Sequence, residues 1–392
     1  MKPFSSELQT PFDAKRLDRL MEDKKLDALV ITSKHNIQYF LGGYRYFFYS
    51  FMDAHGLSRY MPAVIYVRGD LTEASYIGSP MEKFEHQLGK FWTPDVKFSN
   101  MTVDQYSKSI VNSLEGLKRP VRRLGVEMDF LLHRAHSILS AGLPETEIVD
   151  AYFMLELFRA LKSPEELSIL RSASEKVVAS MVATFSKHGV GSTKREIIDT
   201  LRAEEIERGL FFEYGLLNIG NSFNRAPSDE ILGKGEVLAL DSGGNYQGYI
   251  GDLCRMGFPG APDAELVDLL GLVEEVQQAA RRPIRAGARG GDIYTEPDAI
   301  VAKSVLREHL DFVAHGMGIV GHEAPWLTDR SSVPYPAYHA DRPLQSGMVI
   351  SIETTLMHSE RGFIKLEDTV AVTDTGWESY GDSARGWNSM GA

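Results

Sequence analysis

The chain has a single cysteine, Cys254, which excludes an internal disulfide and fits a reducing compartment. No uninterrupted apolar run reaches the length of a membrane-spanning helix, so no membrane association is expected. The opening stretch MKPFSSELQTPFDAKR carries no apolar segment like that of a secretory leader, and a cytoplasmic location is expected. Basic residues are the minority, 42 Lys and Arg against 54 Asp and Glu, and the net charge of −12 argues against a nucleic-acid partner. There is no low-complexity tract, no short-period repeat and no Gly-rich phosphate loop. The 392 residues, 43% hydrophobic and 10% aromatic, are enough to bury substantial cores in two or three domains.

Residues 1–155 alternate helical and strand-like runs, as expected of an α/β domain. Helices are expected at 13–24 and 104–118, and strands at 27–32, 62–67 and 73–77, with further strands near 124–128 and 147–151. Residues 156–392 read as an α+β domain. Ser163, Pro164 and Glu166 form a helix-start signal, and Leu167, Leu170, Ala173, Val177 and Met181 follow at helical spacing. Further helices are predicted at 194–208, 263–282 and 293–310, and strands at 236–241, 348–353 and 364–373.

The chemistry concentrates in this second part. VLALD ends an apolar run at Asp241, and Asp252 follows eleven positions on. FVAHGMGIVGHEAP sets His315 among small residues, with His322 seven further along. VISIE and FIKLE place Glu353 and Glu367 in apolar, strand-like runs, where an uncompensated carboxylate would be costly to bury. Four carboxylates and an imidazole make a hard, oxygen-rich donor set, able to hold two divalent ions with bridging carboxylates. Such a pair activates water at neutral pH and polarises a carbonyl, so the residues point to a dinuclear metallohydrolase. Cys254, two residues from Asp252 in a strand-like run, reads as an ordinary packed thiol.

The order of these residues resembles that of the pita-bread metallopeptidases: two Asp, then HGxG with a second His, then two Glu fourteen apart. That family includes prolidase, aminopeptidase P, methionine aminopeptidase and the metal-free creatinase. KSPEELSILRSASEKV (162–177) resembles the opening of its catalytic domain, and RLDRLMEDKKLDALVITSKHNIQYFLGGY (16–44) resembles its N-terminal domain. The resemblance implies a creatinase-like domain over 1–155 and a pita-bread metallohydrolase domain over 156–392. It implies that Asp241 holds one ion and His315 with Glu353 the other, with Asp252 and Glu367 bridging. The ions would be Mn, Co, Fe or Zn. A hydroxide between them would attack an amide carbonyl, with Glu353 as general base and His322 donating a hydrogen bond or proton. The reaction implied is Xaa-Pro dipeptide cleavage, by a homodimer acting on a small-molecule or dipeptide substrate.

Substrate handling departs from the family pattern. The family carries a His seventeen residues before the first ligand Asp; here that position is Asn224, which cannot donate a proton at neutral pH. Trp326 stands where an Arg often engages a substrate carboxylate, and Thr354 follows Glu353 where Pro is usual. Tyr249, in QGYIGD, is a candidate for orienting substrate, as is a role in packing. Residues 42–62 hold seven aromatics (Tyr44, Tyr46, Phe47, Phe48, Tyr49, Phe51 and Tyr60) with Arg45, Arg59 and His55. They read either as a packed loop or as a pocket lid, with Arg45 as a candidate substrate contact. These departures keep two alternatives in view: a specialised small-metabolite hydrolase or lyase, creatinase-like or similar to the dimethylsulfoniopropionate lyases, and a non-catalytic binding module.

Overall fold

The computed structural model describes residues 9–51, 54, 60–330 and 335–391, which form two compact units divided between Phe158 and Arg159. In the first unit, strands β1 (Ala28–Ile31), β2 (Ala63–Val67), β3 (Ser75–Gly78), β4 (Asp95–Phe98), β5 (Arg123–Val126) and β6 (Glu147–Asp150) form one mixed sheet in the order β4-β3-β2-β1-β5-β6. Strands β1, β2 and β3 are buried at every position, which is why they read as continuous apolar runs. Helices α1 (Ala14–Asp23), α2 (Lys34–Phe40), α3 (Lys83–Gln87), α4 (Val103–Glu115), α5 (His133–Gly142) and α6 (Tyr152–Arg159) accompany this sheet. Asp13, Ser33 and Thr102 cap α1, α2 and α4 through their side-chain oxygens.

The aromatic loop joins this unit's core. Tyr46, Phe48, Tyr49 and Tyr60 are buried, and the hydroxyls of Tyr44, Tyr60 and Tyr76 all donate to the buried carboxylate of Glu82. Burial raises the pKa of Glu82. Arg45 is half-buried in this unit, whereas His55 and Arg59 lie outside the described residues.

The second unit is built on antiparallel strands: β7 (Phe211–Ile219), β8 (Leu238–Tyr246), β9 (Tyr249–Phe258), β10 (Leu310–Gly316), β11 (Val349–His358) and β12 (Gly362–Val372), in the order β10-β11-β12-β9-β8-β7. Strand β13 (Trp377–Tyr380) pairs with β12, and β14 (Asn388–Ser389) runs parallel to β9. Helices α7 (Pro164–Lys187) and α8 (Lys194–Glu207) each start on a complete capping box, from Ser163 with Glu166 and from Thr193 with Glu196. Helices α9 (Ala264–Arg281) and α10 (Thr295–Lys303) follow. No helix among the described residues is long and apolar enough to cross a membrane.

Two departures from the sequence reading shape the site. The helix expected over 293–310 stops at Lys303. Val305 beyond it is almost wholly exposed, so continuing the helix would bury nothing, and Leu310, Phe312 and Ala314 alternate inward along β10 instead. The carboxylates also do not end their strands: β8 runs five residues past Asp241, and β11 five past Glu353. Both strands are paired on either side, so their backbones stay satisfied through the polar stretch.

Glycines hold β8 and β9 in place. Gln247 and Gly248 both have positive φ and close a two-residue hairpin between Tyr246 and Tyr249. Gly251 lies against α7 so closely that a Cβ there would sit 2.7 Å from the Ala173 carbonyl carbon and 2.8 Å from the Ser174 nitrogen. Between β10 and Pro325 the chain folds back on itself: Glu323 N–H donates to Gly316 O at 2.9 Å, and Gly316 N–H to Pro325 O at 3.0 Å. The Glu323 carboxylate is fully buried, 2.9 Å from Lys162 Nζ and 3.1 Å from Arg159 Nη2. Burial opposes its charge, but Lys162 and Arg159 outweigh that and lower its pKa.

Gly251→Ala must push helix backbone aside, so it should cost about 1–3 kcal/mol, read as a lower denaturation midpoint in urea. Glu323→Ala strands two buried cations and should cost about 3–5 kcal/mol. The lowered pKa means that this stabilisation is fully present above pH 4.5, the ordinary value, and is lost as pH falls through the lowered one. Urea midpoints of the wild type and Glu323→Ala should therefore converge as the solution is acidified.

Candidate metal centre

Strand register assembles the site. Directly opposed residues in a pleated sheet point the same way. One row across the sheet is Asp241 on β8, Cys254 on β9, Glu367 on β12, Glu353 on β11 and Val313 on β10. The next row on the same face is Gly243, Asp252, Thr369, Ser351 and His315. A row on the other side contributes Lys365, Thr355 and Asp311. Two-residue periodicity thus gathers Asp241, Asp252, His315, Glu353 and Glu367 from five strands onto one face.

Donor atoms fall into overlapping groups. Asp241, Asp252 and Glu367 offer donor atoms within 4.8 Å of one another, as do His315, Glu353 and Glu367, and Asp252 forms a third group with His315 and His322. Glu367 belongs to two groups, the arrangement a bridging carboxylate needs. His315 Nε2 lies 3.8 Å from Glu367 Oε1 and 3.9 Å from Glu353 Oε1. The other ring nitrogen, Nδ1, meets Gly316 O at 3.1 Å, which fixes the tautomer that leaves Nε2 to face the carboxylates. Ser351 donates to Glu367 Oε1 at 2.9 Å.

Two cations absent from the sequence reading enter here. Lys365 Nζ is buried 2.7 Å from Asp241 Oδ2, 2.6 Å from Glu353 Oε2 and 2.8 Å from Glu367 Oε2. Arg225 Nη2 donates to Asp241 Oδ2 at 2.5 Å. Burial works against the charge of Lys365, but Asp241, Glu353 and Glu367 raise its pKa well above the usual range. For Asp252, burial and then Glu367 and Asp241 push the pKa well up. Burial also opposes a proton on His315, yet the nearby carboxylates of Glu367, Glu353 and Asp252 bring it up to about 9. Each carboxylate that Lys365 touches keeps its second oxygen, so the donor set fits divalent ions beside the ammonium. Lys365 was legible in principle, lying two residues before Glu367 on the same strand.

A cavity of about 670 Å³ opens over this face, walled by Tyr214, Arg225, Gly321, His322, Arg330 and Lys365 with the carboxylates at its base. Tyr214, also unread in the sequence, lines the cavity beside Asp252 and lies across Gly243, where any Cβ would collide with its ring. The paired glycines at 243 and 244 were the available signal for it. His322 stacks on His315 with ring centroids 3.8 Å apart and an interplanar angle of 12°. Tyr335 hydrogen-bonds His322 Nδ1 and stacks on Trp326 at 4.1 Å. Desolvation, and then His315, hold the pKa of His322 down to about 4.

Trp326, Tyr249 and Asn224 do not line this cavity. Trp326 is buried behind Tyr335, its backbone N–H donating to His339 Nδ1 at 2.9 Å. Tyr249 donates to Glu166 Oε1 at 2.9 Å. Asn224 turns into its own loop, accepting from Ala226 N–H at 3.1 Å. Arg45 belongs to the first unit. Cys254 is fully buried in the centre of the first row, and burial raises its pKa, in keeping with a packed thiol.

Comparisons with known proteins agree with this arrangement. The profile of Metallopeptidase family M24 matches residues 168–374, and that of the Creatinase/Prolidase N-terminal domain matches residues 14–161. The chain is 24% identical over 370 residues to an uncharacterized peptidase of Bacillus subtilis, covering 92% of this chain and 95% of that one. It is 23% identical over 375 residues to a Xaa-Pro dipeptidase of Pyrococcus horikoshii, covering 92% and 94%. The solved Xaa-Pro dipeptidase of Bacillus anthracis superposes with a TM-score of 0.80 at 20% identity, covering 96% of this chain and 99% of that one. With a creatinase-type N-terminal domain and a pita-bread catalytic domain, the chain belongs to metallopeptidase family M24 and is a metal-dependent hydrolase of the peptidase kind.

Proposed function

We propose that this chain is a dinuclear metallopeptidase of the Xaa-Pro dipeptidase or aminopeptidase P type. The observation that carries the reading is Glu367, shared by two donor groups on one sheet face. Asp241 would hold one ion, His315 and Glu353 the other, and Asp252 and Glu367 would bridge; Mn, Co, Fe and Zn all suit such ligands. When bound, the ions would acidify a water molecule and polarise the scissile carbonyl. Glu353, which faces the cavity with Oε2 against Lys365, is the general base in this reading. His322 stays neutral down to about pH 4. In this reading the Tyr335 hydroxyl donates to Nδ1, which leaves the ring proton on Nε2, where it can be donated to the developing oxyanion or the leaving nitrogen. Assembly as a cytoplasmic homodimer belongs to the same reading.

One observation favours a second reading. Asn224 stands where the family's usual imidazole is expected, and its side chain serves its own loop. A small-metabolite hydrolase or lyase on the same fold would not need that imidazole.

Metal analysis with an activity screen on Xaa-Pro dipeptides separates the readings. Two ions per chain and Xaa-Pro cleavage support the peptidase; two ions without cleavage support the small-metabolite enzyme; no bound metal overturns both. Asp252→Ala and Glu367→Ala should each lower activity roughly a thousandfold or more and reduce the metal content measured on the purified variant. Chelation of the wild type should abolish activity, and either Mn or Co should restore it.

A further inference from the structure

Arg225 is distinguished from the other cations of the cavity by what it leaves unused. Arg330 is held on both terminal nitrogens by Asp298, at 2.8 Å each, and Lys365 is surrounded by three carboxylates. Arg225 gives one nitrogen, Nη2, to Asp241, and among the described residues its side chain has no other hydrogen-bond partner; Nε is unpaired. Its guanidinium lies 5.7 Å from the Phe363 ring centroid, and about a third of the side chain (34%) is open. The residue thus sits on the cavity wall with Nη2 anchored on Asp241 and Nε buried, which leaves Nη1 as the donor it can offer a carboxylate oxygen.

Charge points the same way. Five cavity carboxylates, Asp311 included, against Lys365 and Arg225 leave three negative charges, with His315 neutral as a ligand and Arg330 paired with Asp298. Two divalent ions would turn this into a surplus of one positive charge, which an anionic substrate group would offset. Arg225 directly follows Asn224, so it lies on the wall at the point in the chain where the family's imidazole is missing.

We infer that Arg225 is a specificity-determining residue that pairs with a carboxylate of the substrate. Because the same guanidinium touches the ligand Asp241, that carboxylate lies close to the reacting centre, which suits a dipeptide-sized substrate with a free carboxylate rather than a long peptide. The inference rests on the hydrolase reading above, but its test separates the two.

Metal-loaded, full-length wild type, R225M and R225K would be titrated calorimetrically with L-proline and with L-prolinamide, with metal content measured on each sample. Gly-Pro cleavage would be followed in parallel. The wild type should bind proline at least roughly tenfold more tightly than prolinamide. R225M should lose that preference with its ions retained, and R225K should recover part of it. A wild type without the preference, or R225M that keeps it, overturns the inference. So does a preference lost with the ions and restored when R225M is reloaded, which would mean that Arg225 acts only through Asp241. A wild type that discriminates the two ligands but does not cleave Gly-Pro would leave Arg225's role standing and remove the peptidase reading.

Discussion

The structure depends on compensating negative charge on a single sheet face. Asp241, Asp252, Glu353 and Glu367 crowd together in a largely water-excluded setting, where like charges repel strongly and each ion has lost hydration. Strand register is what brings them together, so the sheet must offset their charge with nearby cations or with protons. Lys365 and Arg225 supply part of it from the chain, and the raised pKa of Asp252 shows where the compensation is incomplete. A divalent ion would complete it, so the same electrostatics serve both folding and metal uptake.

A second charge cluster, built on the opposite face, keeps the first in position. Asp368 follows Glu367 on β12 and therefore points the other way, 3.0 Å from Arg255 Nη2, 3.1 Å from Arg281 Nη2 and 2.5 Å from Arg385 Nη1. Burial opposes the Asp368 charge, but the three guanidinium groups hold its pKa at about 2. Arg255 Nη1 also donates to Glu367 O at 2.8 Å, and Gln277 on α9 donates to Ile352 O and Leu366 O. The backbone carrying Glu353 and Glu367 is therefore clamped from below by groups that never reach the cavity. Arg255 belongs to this clamp and not to the cavity lining.

What the sequence made legible follows from local physics. The capping boxes at Ser163 and Thr193, the buried strands of the first unit and the hard donor set all depend on neighbouring residues or on period-two spacing, and the structure shows each element within a few residues of its expected bounds. What stayed hidden depends on contacts distant in the chain. Asn224 and Arg225 are adjacent, yet one turns into its loop and the other onto Asp241, a choice set by how β7 meets β8. Trp326 could be matched to a motif position, but its burial behind Tyr335 depends on a chain segment that returns from outside the motif. Lys365 is an intermediate case: its side of the strand followed from Glu367, but its three carboxylate partners needed the pairing of β8, β9, β11 and β12.

The return of the chain between Gly316 and Pro325 links these levels. Its geometry is fixed remotely, by Glu323 buried between Arg159 and Lys162, and its result is local, the stacking of His322 on His315. Two stacked imidazoles in one desolvated site cannot both hold a proton cheaply. The carboxylates draw it to His315, and its charge in turn disfavours one on His322. A metal at His315 Nε2 would replace that proton with a cation in the same place, so the pressure keeping His322 neutral would persist. The fold thus sets two similar side chains seven residues apart in different surroundings: one faces the carboxylates, and the other, hydrogen-bonded to Tyr335, is kept neutral beside the cavity.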